Sequence, residues 1–122
     1  MTMLLSHTIL SAHDNKTGRY DAKRIAATLA ITQAEMAEIV GYSTRGLNKN
    51  PSSPRLQEKL AALVSLIGEL RELLDGNMDY VLIWLKAPHP YLDRKTPLSV
   101  LKAGNLEAVQ TLVHMMWTGQ PA

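Results

Sequence analysis

The sequence predicts an all-α fold: a compact bundle of short helices around one long central helix, with a helix-turn-helix-like N-terminal half. Three observations carry that expectation. No stretch alternates apolar and polar residues as a half-buried strand would, and the β-branched residues fall inside helical periodicities. The segment from Pro54 to Asp75 keeps one apolar stripe for about six helical turns. Elsewhere, capping residues, prolines and glycines cut the chain into short helical pieces.

In chain order, residues 1–19 read as a short N-terminal helix followed by the turn "DNKTG". Asp21 can cap a helix over Ala22 to Leu29, with Ile25 and Leu29 on one face. Thr32 and Glu35 stand at capping-box spacing before a helix whose apolar side is Met36, Ala37, Ile39 and Val40. Gly41 suits the left-handed residue that ends it. Ser43 can cap a third helix over Thr44 to Lys49, which Asn50-Pro51 stops, because the residue before proline disfavours helical angles.

Ser53-Pro54 opens the long helix, with proline at the first helical position, where its missing N–H costs nothing. Leu56, Leu60, Leu63, Val64, Ile67, Leu70 and Leu74 form its stripe, and Ala62, Leu66 and Leu73 widen it enough to pack on two sides. Gly76 ends it. Asn77 or Asp79 caps the next helix, whose "VLIWL" is apolar all round and reads as buried. Thr96-Pro97 starts another short helix, closed by Gly104. Asn105 caps the last, striped by Leu106, Val109, Leu112, Val113 and Met116. The expected organisation is an N-terminal helix-turn-helix-like region (1–52), a linking helix (53–76) and a C-terminal helical domain (77–122).

Composition narrows the function classes. Apolar residues make up 46% of the chain and charged residues 20%, ordinary values for a globular domain and far from those of a disordered one. There is no cysteine, which excludes a disulfide scaffold, a thiolate nucleophile and a cysteine-ligated metal site, and suits a reducing cytoplasm. The first residues lack the basic leader of a signal peptide, and no apolar run is long enough to cross a membrane, so the expected location is cytoplasmic. Residues 1–60 carry eight Lys/Arg against five Asp/Glu, while residues 61–122 carry five against six; the front half is therefore mildly basic, which permits contact with nucleic acid.

Little in the chain can perform chemistry. His7, His13, His89 and His114 show no metal-ligand spacing, and read as surface or packing histidines. Glu35 with Glu38, and Glu69 with Glu72, lack the Glu-x-x-His of a carboxylate metal bundle and read as solvated helix faces. No phosphate loop or nucleophile–base pair is present. The chain is expected to bind, without catalysis, metal or cofactor.

Two resemblances give that binding a direction. From Gln33 to Asn50, Ala37 falls at a tight helix contact, Gly41 at the turn, and Val40, Tyr42 and Leu47 at apolar positions. This resembles the Xre-type helix-turn-helix, in which the second helix enters the major groove. The resemblance implies that Ser43, Thr44, Arg45, Asn48 and Lys49 face DNA. Gly46, at a cost of about 1 kcal/mol in a helix interior, and the early stop at Asn50-Pro51 depart from the pattern, and leave open a helix-turn-helix kept only as scaffold.

Downstream, Trp84, Leu85, Pro88, Leu92, Pro97, Val100, Leu101, Gly104, Val109 and Leu112 occur in the order of the Xre/MbcA/ParS toxin-binding domain. Asp93-Arg94 stand where that domain commonly has a glycine pair. Together the two resemblances span about residues 20 to 117. They imply an antitoxin of a type II toxin–antitoxin system that covers the active site of a cognate RES-domain toxin, an NAD-degrading protein. They also imply autoregulatory contact with operator DNA and a homodimer formed through the N-terminal half. Expected toxin contacts are Arg94, Lys95, Met115, Trp117 and a tail of Thr118, Gly119, Gln120, Pro121 and Ala122 inserted into the partner's pocket; the other reading of the tail is that Met116 and Trp117 close the core and the last residues fray. Two alternatives stand beside the antitoxin: a stand-alone Xre-like transcription regulator whose C-terminal helices dimerise, and a purely structural helical adaptor.

Overall fold

The computed structural model describes residues 12–119; the helix expected within residues 1–19 and the tail residues Gln120, Pro121 and Ala122 lie wholly or largely outside that range. The described residues form seven α-helices: α1 (Ala22–Thr28), α2 (Gln33–Val40), α3 (Thr44–Lys49), α4 (Gln57–Leu73), α5 (Met78–Leu85), α6 (Pro97–Lys102) and α7 (Leu106–Thr118). Extended pairing among them is confined to two isolated bridges, His13 with Tyr20 and His89 with Lys95.

Most of these helices start on the side chains expected to cap them. The Asp21 carboxylate accepts from the Arg24 N–H at 3.0 Å. Thr32 and Glu35 form the reciprocal box, with Glu35 N–H donating to Thr32 Oγ1 and Thr32 N–H to Glu35 Oε1, each at 3.0 Å. Ser43, Thr96 and Asn105 cap α3, α6 and α7 in the same way. Asn77 caps α5, accepting from both Asp79 and Tyr80. Each such cap contributes about 1 kcal/mol, a large share for helices only two turns long.

The long helix is shorter than its apolar pattern. Pro54–Leu56 form a 3-10 turn, because Leu56 N–H bonds back three residues to the Ser53 carbonyl at 3.0 Å, and α4 begins only at Gln57. At the other end Asp75 turns left-handed with φ 60° and Gly76 N–H reaches the Arg71 carbonyl, which closes the helix before the expected Asp75.

Leu60, Leu63, Leu66, Ile67 and Leu70 of α4 are buried, and α5 and α7 pack against it. α2 lies between α1, α3 and α6, so one continuous cluster of buried side chains runs from Ala12 to Val113. At roughly 1.5–3 kcal/mol per fully buried large side chain, α4 is the main source of cohesion. One expectation is corrected. "VLIWL" is not buried all round: Val81 and Leu85 face inward, Leu82 and Trp84 are half-buried, and Ile83 is 66% exposed. A two-turn helix laid on α4 and touching α6 at one edge has only one covered side.

A side chain that no motif announced ties the N-terminal loop to this core. Gln57 accepts from Tyr20 N–H at 2.8 Å and donates to the carbonyls of Tyr20 and Ser53 at 3.0 Å each. Its amide thus completes the hydrogen bonding of a backbone segment 37 residues away. Replacing the amide by a carboxylate of the same shape (Gln57→Glu) leaves two carbonyls facing an acceptor. The expected loss is about 2–3 kcal/mol in urea unfolding at neutral pH, no smaller than that of Gln57→Ala.

Candidate functional site

Two surfaces gather the residues singled out from sequence. The first is α3. Ser43, Thr44, Arg45, Asn48 and Lys49 are all exposed around the buried anchor Leu47. Arg45 and Lys49, four residues apart, fall on the side opposite Leu47 and so point furthest outward. Ser43 differs from the rest because its hydroxyl is already engaged as the cap, accepting from Gly46 N–H at 3.0 Å. Gly46 has a packing reason: a Cβ there would lie 2.9 Å from Ser43 Oγ and 3.4 Å from the Tyr42 ring.

The structure adds a cation to this surface. A shallow depression lined by Tyr42, Lys49, Asn50 and Arg55 sets Arg55 beside α3. Arg55 belongs to the chain just past α3, and only the excess of positive charge in residues 1–60 pointed to it.

The second surface is the strap between α5 and α6. Pro90–Leu92 form a 3-10 turn, and Asp93 and Arg94 follow with φ of 56° and 65°, both in the left-handed region. Side chains there are disfavoured by roughly 1–2 kcal/mol, which is why a glycine pair is the easier choice. His89 holds the strap in shape. Its carbonyl accepts from Leu92 at 2.9 Å and Arg94 at 3.0 Å, its N–H donates to the Lys95 carbonyl at 3.0 Å, and its Nδ1 accepts from Tyr91 N–H at 3.2 Å. Arg94 and Lys95 are left exposed. Beside them opens a cleft of about 460 Å³, lined by Tyr91, Asp93, Lys95, Ser99, Ala103 and Asn105, which sequence reasoning did not anticipate.

The end of α7 places Met115 and Met116 half-buried and leaves Trp117 46% exposed. Thr118 is the last helical residue, and Gly119 turns left-handed with φ 74°. Met116 packs on the core, whereas Trp117 stands largely clear of it.

The two surfaces are mechanically joined. Lys102 of α6 bonds Glu35 of the α2 capping box at 3.2 Å. The Thr32 N–H first, then Lys102, hold the Glu35 carboxyl below its ordinary value near 4.5. No group of three or more potential metal ligands occurs among the described residues. No helix among them is long and apolar enough to cross a membrane.

No protein-family model matches the chain, and no curated protein does. Among solved structures, a chain in the crystal structure of the M. tuberculosis MbcT-MbcA toxin-antitoxin complex is similar, with a TM-score of 0.58 and 22% identity over 83% of this chain and 94% of that one. The two chains share a fold. An overlap of 83% leaves too few residues over for the MbcT-MbcA likeness to omit either half of the bundle.

Two expectations follow for this MbcT-MbcA-like fold. Arg94→Gly relieves the left-handed strain but frees the unfolded chain, so a net gain of about 0.5–1 kcal/mol is expected in thermal unfolding; a loss would mean that the Arg94 side chain holds the strap. Because the Glu35 value is lowered on folding, its contribution is complete above the ordinary carboxyl range and is lost as pH falls through the folded value. Glu35→Gln keeps the capping box and loses the charge pair. Against the native chain it is expected to be less stable by up to about 1 kcal/mol at neutral pH, with the difference shrinking as pH falls below the ordinary carboxyl range.

Proposed function

We propose that this chain is an antitoxin: a non-catalytic protein that binds a cognate RES-domain toxin through its C-terminal half and covers the toxin's NAD-degrading site. The observation that carries the proposal is the fold held in common with a chain of a toxin–antitoxin complex, over most of both chains. The surfaces agree with it. Arg94 and Lys95 project from a strap held by four hydrogen bonds of His89, and Trp117 stands out at the end of α7. Aromatic and arginine side chains are the usual anchors of protein interfaces, and rigid presentation reduces the ordering cost of association.

The tail that follows Trp117, from Thr118 to Ala122, enters the toxin's pocket in this proposal. The exposed Trp117 favours that reading over one in which it closes the core. The outward strip of Arg45 and Lys49, with Arg55 beside it, supports operator binding by α3, and the working form is a cytoplasmic homodimer within a larger complex. Operator affinity held by such phosphate contacts falls steeply with salt.

Co-expression with the product of the neighbouring reading frame, which the proposal expects to be a RES-domain protein, tests it. Rescue of growth and co-purification are expected; growth arrest that persists with the chain present would refute it. Trp117→Ala is expected to weaken the complex by about 2 kcal/mol or more, with stability changed by no more than about 1 kcal/mol. Unaltered affinity would remove Trp117 and the tail from the contact.

A further inference from the structure

The α5 helix is apolar on two opposite sides, and only one is used. Val81 and Leu85, 0% and 2% exposed, face α4. On the other side Tyr80 is 53% and Ile83 66% exposed, Trp84 is half-buried, and Ala87 just past the helix is exposed. The spacing 80, 83, 84, 87 is that of a helix seam made to receive another helix. The large apolar side chains exposed among the described residues are Tyr80, Ile83, Tyr91 and Trp117, so none lies in the N-terminal half, where the self-contact was expected from sequence.

The charges beside the seam say what covers it. Asp79 and Lys86 are seven residues apart, so they share one flank of α5, about 10 Å from each other along the axis, with Ile83 near the midpoint. Neither has an ion-pair partner among the described residues. If two copies of α5 pack antiparallel about a two-fold axis beside Ile83, Asp79 of each copy falls next to Lys86 of the other, on the same side of the pair. A parallel two-fold arrangement puts the two charged flanks on opposite sides of the pair, where the four charges do not meet. The seam is thus complementary to itself in one orientation, and a two-fold contact of this kind closes at two copies.

We infer that the outward face of α5 is a self-association surface, on which a second copy of this chain docks antiparallel through Tyr80 and Ile83 with reciprocal Asp79–Lys86 pairs. The helix has eight residues and is about 12 Å long, short of the roughly 800 Å² per partner of a standard interface. The dimer is accordingly weak and concentration-dependent. The inference does not rest on the toxin reading, since it concerns the isolated chain.

Sedimentation velocity on the full chain, from low to high micromolar concentration, tests it. The native chain is expected to pass from monomer to dimer, and Ile83→Glu to remain monomeric while keeping its helical circular dichroism. Tyr80→Glu, at a second exposed position of the seam, is expected to do the same. Asp79→Lys and Lys86→Asp are each expected to weaken self-association by roughly tenfold, since attraction at two exposed pairs becomes repulsion. Mixing the two variants restores it, because one flank is then wholly basic and the other wholly acidic. Each carries a single charge reversed against the helix dipole, so fraying is not the difference between mixed and unmixed samples. A native chain monomeric throughout, a dimer indifferent to Ile83→Glu or to either charge reversal, or a mixture that stays apart would overturn the inference.

Discussion

A helix of six to eight residues is not stable alone in water, and five of the seven helices here are that short. What lets them exist is burial against neighbours: α5 and α7 lie on the buried seam of α4, Leu60, Leu63, Leu66, Ile67 and Leu70, while α1, α3 and α6 lie around α2 with its buried Met36, Ala37 and Val40. Short helices packed in this way have few internal degrees of freedom. Caps fix where each begins, and prolines and left-handed residues fix where the chain turns between them. The outcome is a surface of loops and helix ends already in place before any partner arrives, which is the condition for binding without a large entropy loss.

The halves are joined at points that reach across the bundle. Gln57 stitches the Tyr20 segment to the start of α4, and Glu35 reaches from its own capping box to Lys102 on α6. The basic surface of α3 and the strap with Arg94 and Lys95 therefore belong to one body. In the antitoxin reading, a partner seated on the C-terminal half meets α2 and α3 already held in position.

The sequence made some of this legible because the signals are local. Thr32 with Glu35, Ser43, Thr96 and Asn105 are caps whose spacing alone states their role, and the α4 stripe repeats often enough to define a buried face. Other features depended on what lies across the chain. An all-round apolar "VLIWL" cannot reveal how many neighbours will cover it, and α5 received cover on one side only. The stripe ran past the helix, because apolar spacing does not register a 3-10 turn at Pro54 or a left-handed Asp75. Arg55 joins α3 only through the turn that follows it. Asp93-Arg94 looked like a departure from a glycine pair, yet the backbone keeps the left-handed shape and carries the strain, a pattern common where a surface has work to do. Three of the five residues of the candidate tail, Gln120, Pro121 and Ala122, lie outside the described residues.

The central claim is that this rigid, non-catalytic surface silences a partner enzyme by covering it. The most direct measurement is NAD consumption by a purified RES-domain partner titrated with the intact chain. The account predicts that activity falls in proportion to added protein and vanishes near a fixed stoichiometric ratio, with no product formed by the chain alone. Undiminished NAD loss at saturating protein, or inhibition with no complex detectable by sedimentation, would contradict it.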